Sequence, residues 1–123
     1  MTLVDTSLWI DHLQRVDPLL QRLLRDGNVL CHPMVIGEIA VGSFKQRTVI
    51  LAQLSALPRT IMASHDEALR FIMRHALYGR GVGYIDVHLL AAVKLTPGSS
   101  LWTRDKRLRE FAESLSLDFR PTP

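Results

Sequence analysis

Apolar residues along the chain follow two different spacings. Short β-prone runs occur at Thr2–Val4, Asn28–Leu30, Thr60–Met62, Leu101–Thr103 and Leu117–Phe119, and their length and bounding turn residues predict five short strands. Between them, apolar positions return every three or four residues over Ser7–Gln14, Pro18–Arg25, Pro33–Phe44, Thr48–Ala56, Asp66–Leu77, Ile85–Leu95 and Lys106–Leu115, the spacing of helices with one buried stripe. Strands that alternate with helices require crossover connections. The pattern therefore predicts the α/β class, with a parallel sheet covered by helices on both faces.

Local signals mark the edges of these elements. Asp17-Pro18 supplies a cap followed by proline at the first helical position, and Ser64-His65-Asp66-Glu67 has the form of a capping box. Asp26-Gly27 reads as a helix stop, and Thr96-Pro97-Gly98-Ser99 separates a helix from the fourth strand. The alternating glycines 79, 81 and 83 precede a helix without a strand before them, so they depart from the dinucleotide-binding fingerprint and read as a mobile loop, with Arg80 a candidate phosphate contact.

At 123 residues, 47% of them hydrophobic and 22% charged, the chain suits one domain spanning 1–123. The longest apolar run, Leu89–Val93, is far too short for a bilayer, and the N-terminus lacks a signal-peptide pattern, so no membrane partner and a cytoplasmic location are expected. A single cysteine, Cys31, excludes an intramolecular disulfide. The net charge is +3, and 12 of the 15 basic residues are Arg. Arginine forks suit RNA phosphates or an acidic partner, but ordinary solvated helix faces account for the same count.

The chain has 12 carboxylates, and most have a local structural use. Asp17, Asp66 and Glu67 serve helix starts, Asp26 a turn, Asp11 a solvated face, and Glu110 and Glu113 follow Lys106 and Arg109 by four residues, a spacing for weak surface pairs. Asp118 lies near the polar C-terminal end. Four carboxylates remain. Glu38 is the only ionisable residue between Pro33 and Phe44, in a helix apolar enough to be mostly buried, and needs a cation, a metal or a proton. Asp86 borders the stripe Ile85, Leu89, Ala92 and Val93, where it could equally complement a helix dipole. Asp5 and Asp105 follow strands and precede helices, where each could be only a cap. If the first and fourth strands are neighbours, however, both face one crevice beyond the carboxyl ends of the sheet.

Val4-Asp5-Thr6-Ser7, a central helix carrying Glu38, Asp86-Val87-His88-Leu89-Leu90-Ala91-Ala92 and Leu101-Trp102-Thr103-Arg104-Asp105 resemble, in order and spacing, the four motifs of PIN domains. The short chain without an added domain resembles the VapC-type toxins of toxin–antitoxin pairs. This resemblance implies a five-stranded parallel sheet in order 3-2-1-4-5, with Asp5, Glu38, Asp86 and Asp105 as the acidic quartet and Ser7 and Thr103 as supporting hydroxyls. It also implies a type II toxin that acts as an endoribonuclease on structured RNA such as transfer RNA, dimerises, and binds a cognate antitoxin in a hetero-oligomer.

Converging carboxylates repel one another, so such a site either keeps a proton or takes hard cations with a preference for oxygen, here Mg²⁺ or Mn²⁺. Asp5 and Asp86 are the expected metal ligands, with Asp105 and Glu38 completing the set or orienting the attacking water. Arg104 and Lys106 flank Asp105 and are candidates for guiding phosphate. A non-catalytic PIN-like module that binds RNA or protein is the alternative, and it would not require metal.

Overall fold

A computed structural model describes residues 1–121. The chain runs β1 (Thr2–Val4), α1 (Thr6–Gln14), α2 (Pro18–Arg25), β2 (Val29–Leu30), α3 (Pro33–Ala40), α4 (Arg47–Ser55), α5 (His65–Arg74), α6 (Tyr84–Leu95), β3 (Ser100–Trp102) and α7 (Lys106–Ser114). The sheet is parallel in order β2-β1-β3, with Leu3 paired to Leu30 on one side and to Leu101 on the other. The α/β alternation is therefore present, and the first strand lies at the centre beside the strand that precedes Asp105.

The expected five strands are reduced to three among the described residues. The other two segments reach the sheet only through single parallel bridges, Cys31 with Arg59 and Leu101 with Asp118. Pro58 has no N–H to extend the first of these ladders, and the Ile61 N–H turns to the Thr96 hydroxyl at 2.9 Å. At the other edge, Leu101 N–H donates to Leu117 O at 2.7 Å and Phe119 N–H to Leu101 O at 2.9 Å. Pairing then stops before Arg120 and Pro121.

Two helices end earlier than their apolar spacing predicts. The helix expected over Pro33–Phe44 stops at Ala40, because Gly42 lies against Ile39 O and Val41 turns outward at 89% exposure. The helix expected over Asp66–Leu77 stops at Arg74, where Ala76 takes the left-handed conformation (φ 51°) and Leu77 N–H returns to Ile72 O at 3.0 Å. Glycine usually marks such an end, and alanine at this position hides it. The caps at Asp17 and Ser64 form as their sequences predict.

α6 passes through the middle of the core, with Val87 through Val93 all buried. No helix among the described residues is long and apolar enough to cross a membrane. His32 is fully buried and caps α3, its Nδ1 accepting from Met34 N–H at 3.0 Å. That bond places the ring proton on Nε2, which has no partner among the described residues. Charging the ring would require a proton at Nδ1, against the N–H it now receives. Burial, with nearby His88 adding a smaller effect, lowers its pKa to about 4.

Because the folded pKa of His32 lies below its unfolded value, this contribution to stability is complete above about pH 6.5 and is lost as pH falls toward 4. Wild type is therefore expected to lose about 2.5 kcal/mol more than His32→Asn, a non-titrating cap, between pH 7 and 4.5. Urea unfolding at the two values checks this, and equal losses in the two proteins would remove His32 from the account.

Candidate functional site

The site begins where two adjacent strands become helices. Asp5 follows β1 and caps α1: Oδ1 accepts from Thr6 N–H at 2.8 Å, while Oδ2 accepts from the Thr103 hydroxyl at 2.6 Å. Asp105 stands at the corresponding point after β3 and caps α7, its Oδ1 accepting from Leu108 N–H at 2.9 Å. The Thr103 hydroxyl also accepts from Asp105 N–H at 3.0 Å. Capping thus orients both carboxylates, and capping and a role in the crevice are compatible for each of them.

Glu38 comes from α3 and is half-buried. Its Oε1 accepts from the Thr6 hydroxyl at 2.7 Å, and among the described residues no Lys, Arg or His forms an ion pair with it. α3 is less enclosed than its composition predicts, since Gly37 is exposed and only Val35 and Ile39 are fully buried.

Asp86 enters from the first turn of α6, also half-buried. Burial above all, then the charges of Asp5, Asp105 and Glu38, push its pKa up to about 6, with the Gly83 backbone N–H offsetting part of the rise. The acids predicted from sequence are therefore close enough to act on one another. Asp86 and Asp105 line an open cleft of about 320 Å³ together with Gly81, Val82, Lys106, Arg107 and Leu108.

The supporting residues are distributed differently from their sequence expectation. Thr103 contacts Asp5 as expected, but the Ser7 hydroxyl is buried with no partner among the described residues, and Thr6 supplies the contact to Glu38. Position 6 immediately follows Asp5, but which of the adjacent hydroxyls meets α3 depends on how the two helices pack. Arg104 does not turn to the crevice. It pairs with Asp11, and with Asp17 Oδ2 at 2.7 Å. That also corrects the expectation that Asp11 is merely solvated. Lys106 lines the cleft, and Arg80 lies over the Phe111 ring, 4.6 Å from its centroid. Arg107, unmarked in the sequence, lines the cleft too.

The donor set consists of carboxylate oxygens under mutual repulsion, which suits a hard divalent cation. No three His, Cys, Asp or Glu side chains among the described residues stand close enough to form a ready-made cage. In charge and donor chemistry the set fits Mg²⁺ or Mn²⁺, and its oxygens are not drawn together.

A parallel α/β sheet with acids gathered beyond the ends of its two adjacent strands defines the class of protein. The family model described as "PIN domain" matches residues 2–114, and the chain belongs to that family. It is similar to Ribonuclease VapC32 of Mycobacterium tuberculosis, in strains CDC 1551 / Oshkosh and ATCC 25618 / H37Rv, with 51% identity over 109 residues, covering 89% of this chain and 88% of each relative.

The folded pKa of Asp86 lies above its unfolded value, so its contribution to stability is complete below about pH 3.8 and lost as pH rises through about 6. In a chelator at pH 7, Asp86→Asn removes the repelled charge and should stabilise the protein by about 1–2 kcal/mol, discounted for partial exposure; at pH 3.5 the gain should vanish. Urea melts at both values test the sign. A less stable variant at pH 7 would show that burial and the neighbouring acids together do not disfavour the Asp86 charge.

Proposed function

We propose that this protein is a VapC-type endoribonuclease, the toxin of a type II toxin–antitoxin pair, which hydrolyses RNA phosphodiesters with Mg²⁺ or Mn²⁺. The observation that carries this reading is the convergence of Asp5, Glu38, Asp86 and Asp105 from four separate segments, close enough that the charges of the other three add to burial in raising the pKa of Asp86 to about 6. Family membership and a ribonuclease relative with 51% identity support it.

Asp5 and Asp86 would hold the ion, and Asp105 and Glu38 would complete the set or orient the attacking water. The bound cation supplies positive charge at the scissile phosphate and lowers the pKa of water. The rest of the chemistry falls to the chain. With both oxygens of Asp5 fixed by Thr6 and Thr103, its carboxylate cannot rotate away from the crevice. The Thr6 hydroxyl holds Glu38 Oε1, which leaves Oε2 to accept a proton from a water. Ionisation of Asp86 above about pH 6 favours cation binding, so activity should rise with pH through that value. Lys106 and Arg80 remain candidates for RNA phosphates, while Arg104 is occupied by Asp11 and Asp17.

A cognate antitoxin, self-association and a transfer-RNA substrate belong to the same proposal. Ile10 and Val49 are exposed, while Trp9 is largely buried at the wall of a cleft. An apolar cleft of about 280 Å³ lined by Leu13, Leu24, Ile50 and Leu57 is surface that a protein partner would cover.

RNA cleavage with Mg²⁺, with Mn²⁺ and in EDTA tests the enzyme. Wild type should cleave only with metal, leaving 5′-phosphate and 3′-hydroxyl ends, and Asp5→Asn and Asp86→Asn should remain folded while single-turnover cleavage falls at least about 100-fold. RNA binding without metal-dependent cleavage by wild type would instead favour a non-catalytic binding module. Near-wild-type cleavage by folded Asp86→Asn would remove that residue from the site.

A further inference from the structure

The mouth of the acidic cleft carries a cation with an unusual seat. Arg107, on the first turn of α7, packs against Gly81: its Nη1 donates to Gly81 O at 3.5 Å, and a Cβ at residue 81 would overlap Nη1 and approach Cζ to 3.1 Å. Gly81 also has φ +79°, a conformation that L side chains rarely adopt. The glycine therefore both permits the turn and leaves room for the guanidinium. Arg80 in the same loop is anchored over Phe111 of α7, so the loop meets α7 at two points.

Arg107 is the residue shared by two clefts. One contains Asp86 and Asp105. The other, about 220 Å³, is lined by Arg80, Arg107, Glu110 and Phe111. No carboxylate among the described residues forms an ion pair with Arg107. Apart from the long Nη1 contact to Gly81 O, its forked donors are thus left to face a phosphate at the border between the acidic crevice and the Arg80 notch.

The geometry points to Arg107 as a substrate-binding residue that holds an RNA phosphate next to the scissile one, with the strand leaving the acidic cleft over α7 toward Arg80. This assignment rests on the ribonuclease reading above. An acid-lined site repels the polyanion it must cut, and a cation at its edge offsets that repulsion without entering the cation site itself.

The test measures RNA affinity and cleavage separately. Fluorescence anisotropy with a labelled single-stranded RNA of mixed sequence, in Mg²⁺ and in an Asp86→Asn background, reads binding without turnover. Adding Arg107→Gln should weaken binding about five- to tenfold and reduce the slope of log affinity against log salt by about 0.7, the loss of one single-strand phosphate contact. Arg107→Lys should keep most of the salt slope. Gly81→Ala should weaken binding in the same direction, since the guanidinium is the flexible partner and must move. Arg109→Gln, on the same helix but paired with Glu113, should bind as its parent does. In otherwise wild-type protein, Arg107→Gln should raise the half-saturating RNA concentration in single-turnover cleavage with little change in maximal rate.

Unchanged affinity and salt slope for Arg107→Gln, or an equal loss for Arg109→Gln, overturns the assignment, and parental affinity in folded Gly81→Ala overturns the role of the seat. If wild type binds RNA through Arg107 but never cleaves it, the enzyme reading fails and the phosphate contact stands. If wild type cleaves and Arg107→Gln binds unchanged, only the contact fails.

Discussion

The Thr103 hydroxyl lies between two carboxylate-bearing turns. It donates to Asp5 Oδ2 at 2.6 Å and accepts from Asp105 N–H at 3.0 Å, joining the ends of β1 and β3 where each becomes a helix. A buried hydroxyl with both functions satisfied is a stiff link, because rotation in either direction leaves a polar atom without a partner. Replacing it with an apolar group would leave Asp5, itself only 7% exposed, short of a donor. The parallel pairing of β1 with β3 supplies the register, with Val4 opposite Trp102 and Asp5 N–H continuing to Trp102 O at 3.0 Å. The other acids are placed relative to this junction.

Placing four negative charges together conflicts with folding, and the structure distributes that conflict unevenly. Asp5 and Glu38 each receive a hydroxyl donor, from Thr103 and Thr6, and Asp105 receives a helix N-terminal N–H. Asp86, half-buried in the first turn of α6, has only partial compensation from the Gly83 backbone, and it carries the strain of the set. Such concentration suits a site that recruits a cation, since the free energy released on neutralisation is already present in the fold. The surrounding cations are arranged to match: Arg104 is removed to Asp11 and Asp17, while Lys106 and Arg107 stay at the cleft.

The α/β alternation and the positions of most helices were legible in the sequence, because each follows from spacing over a few residues, and elimination singled out the four acids proposed for the site. Glu38 stood out as a lone charge among apolar neighbours, and Asp5 and Asp105 as acids at strand-to-helix junctions. The outer strands were not legible as bridges, since whether Thr60–Met62 pairs depends on Pro58 and on the distant Thr96 hydroxyl. The ends of α3 and α5 were obscured because apolar spacing continues past the point where the backbone turns, at Gly42 and at Ala76.

Sequence alone thus determined which acids stand at strand-to-helix junctions or among apolar neighbours and which local turns they cap, because capping and hydrophobic spacing act over one or two helical turns. Tertiary structure decided what those charges meet. Thr6 rather than Ser7 reaches Glu38, 32 positions away, and Arg104 crosses 93 positions to Asp11, while Arg107 settles on a glycine 26 positions earlier. Contacts of that separation depend on how whole helices pack, and no local pattern of residue types encodes that packing.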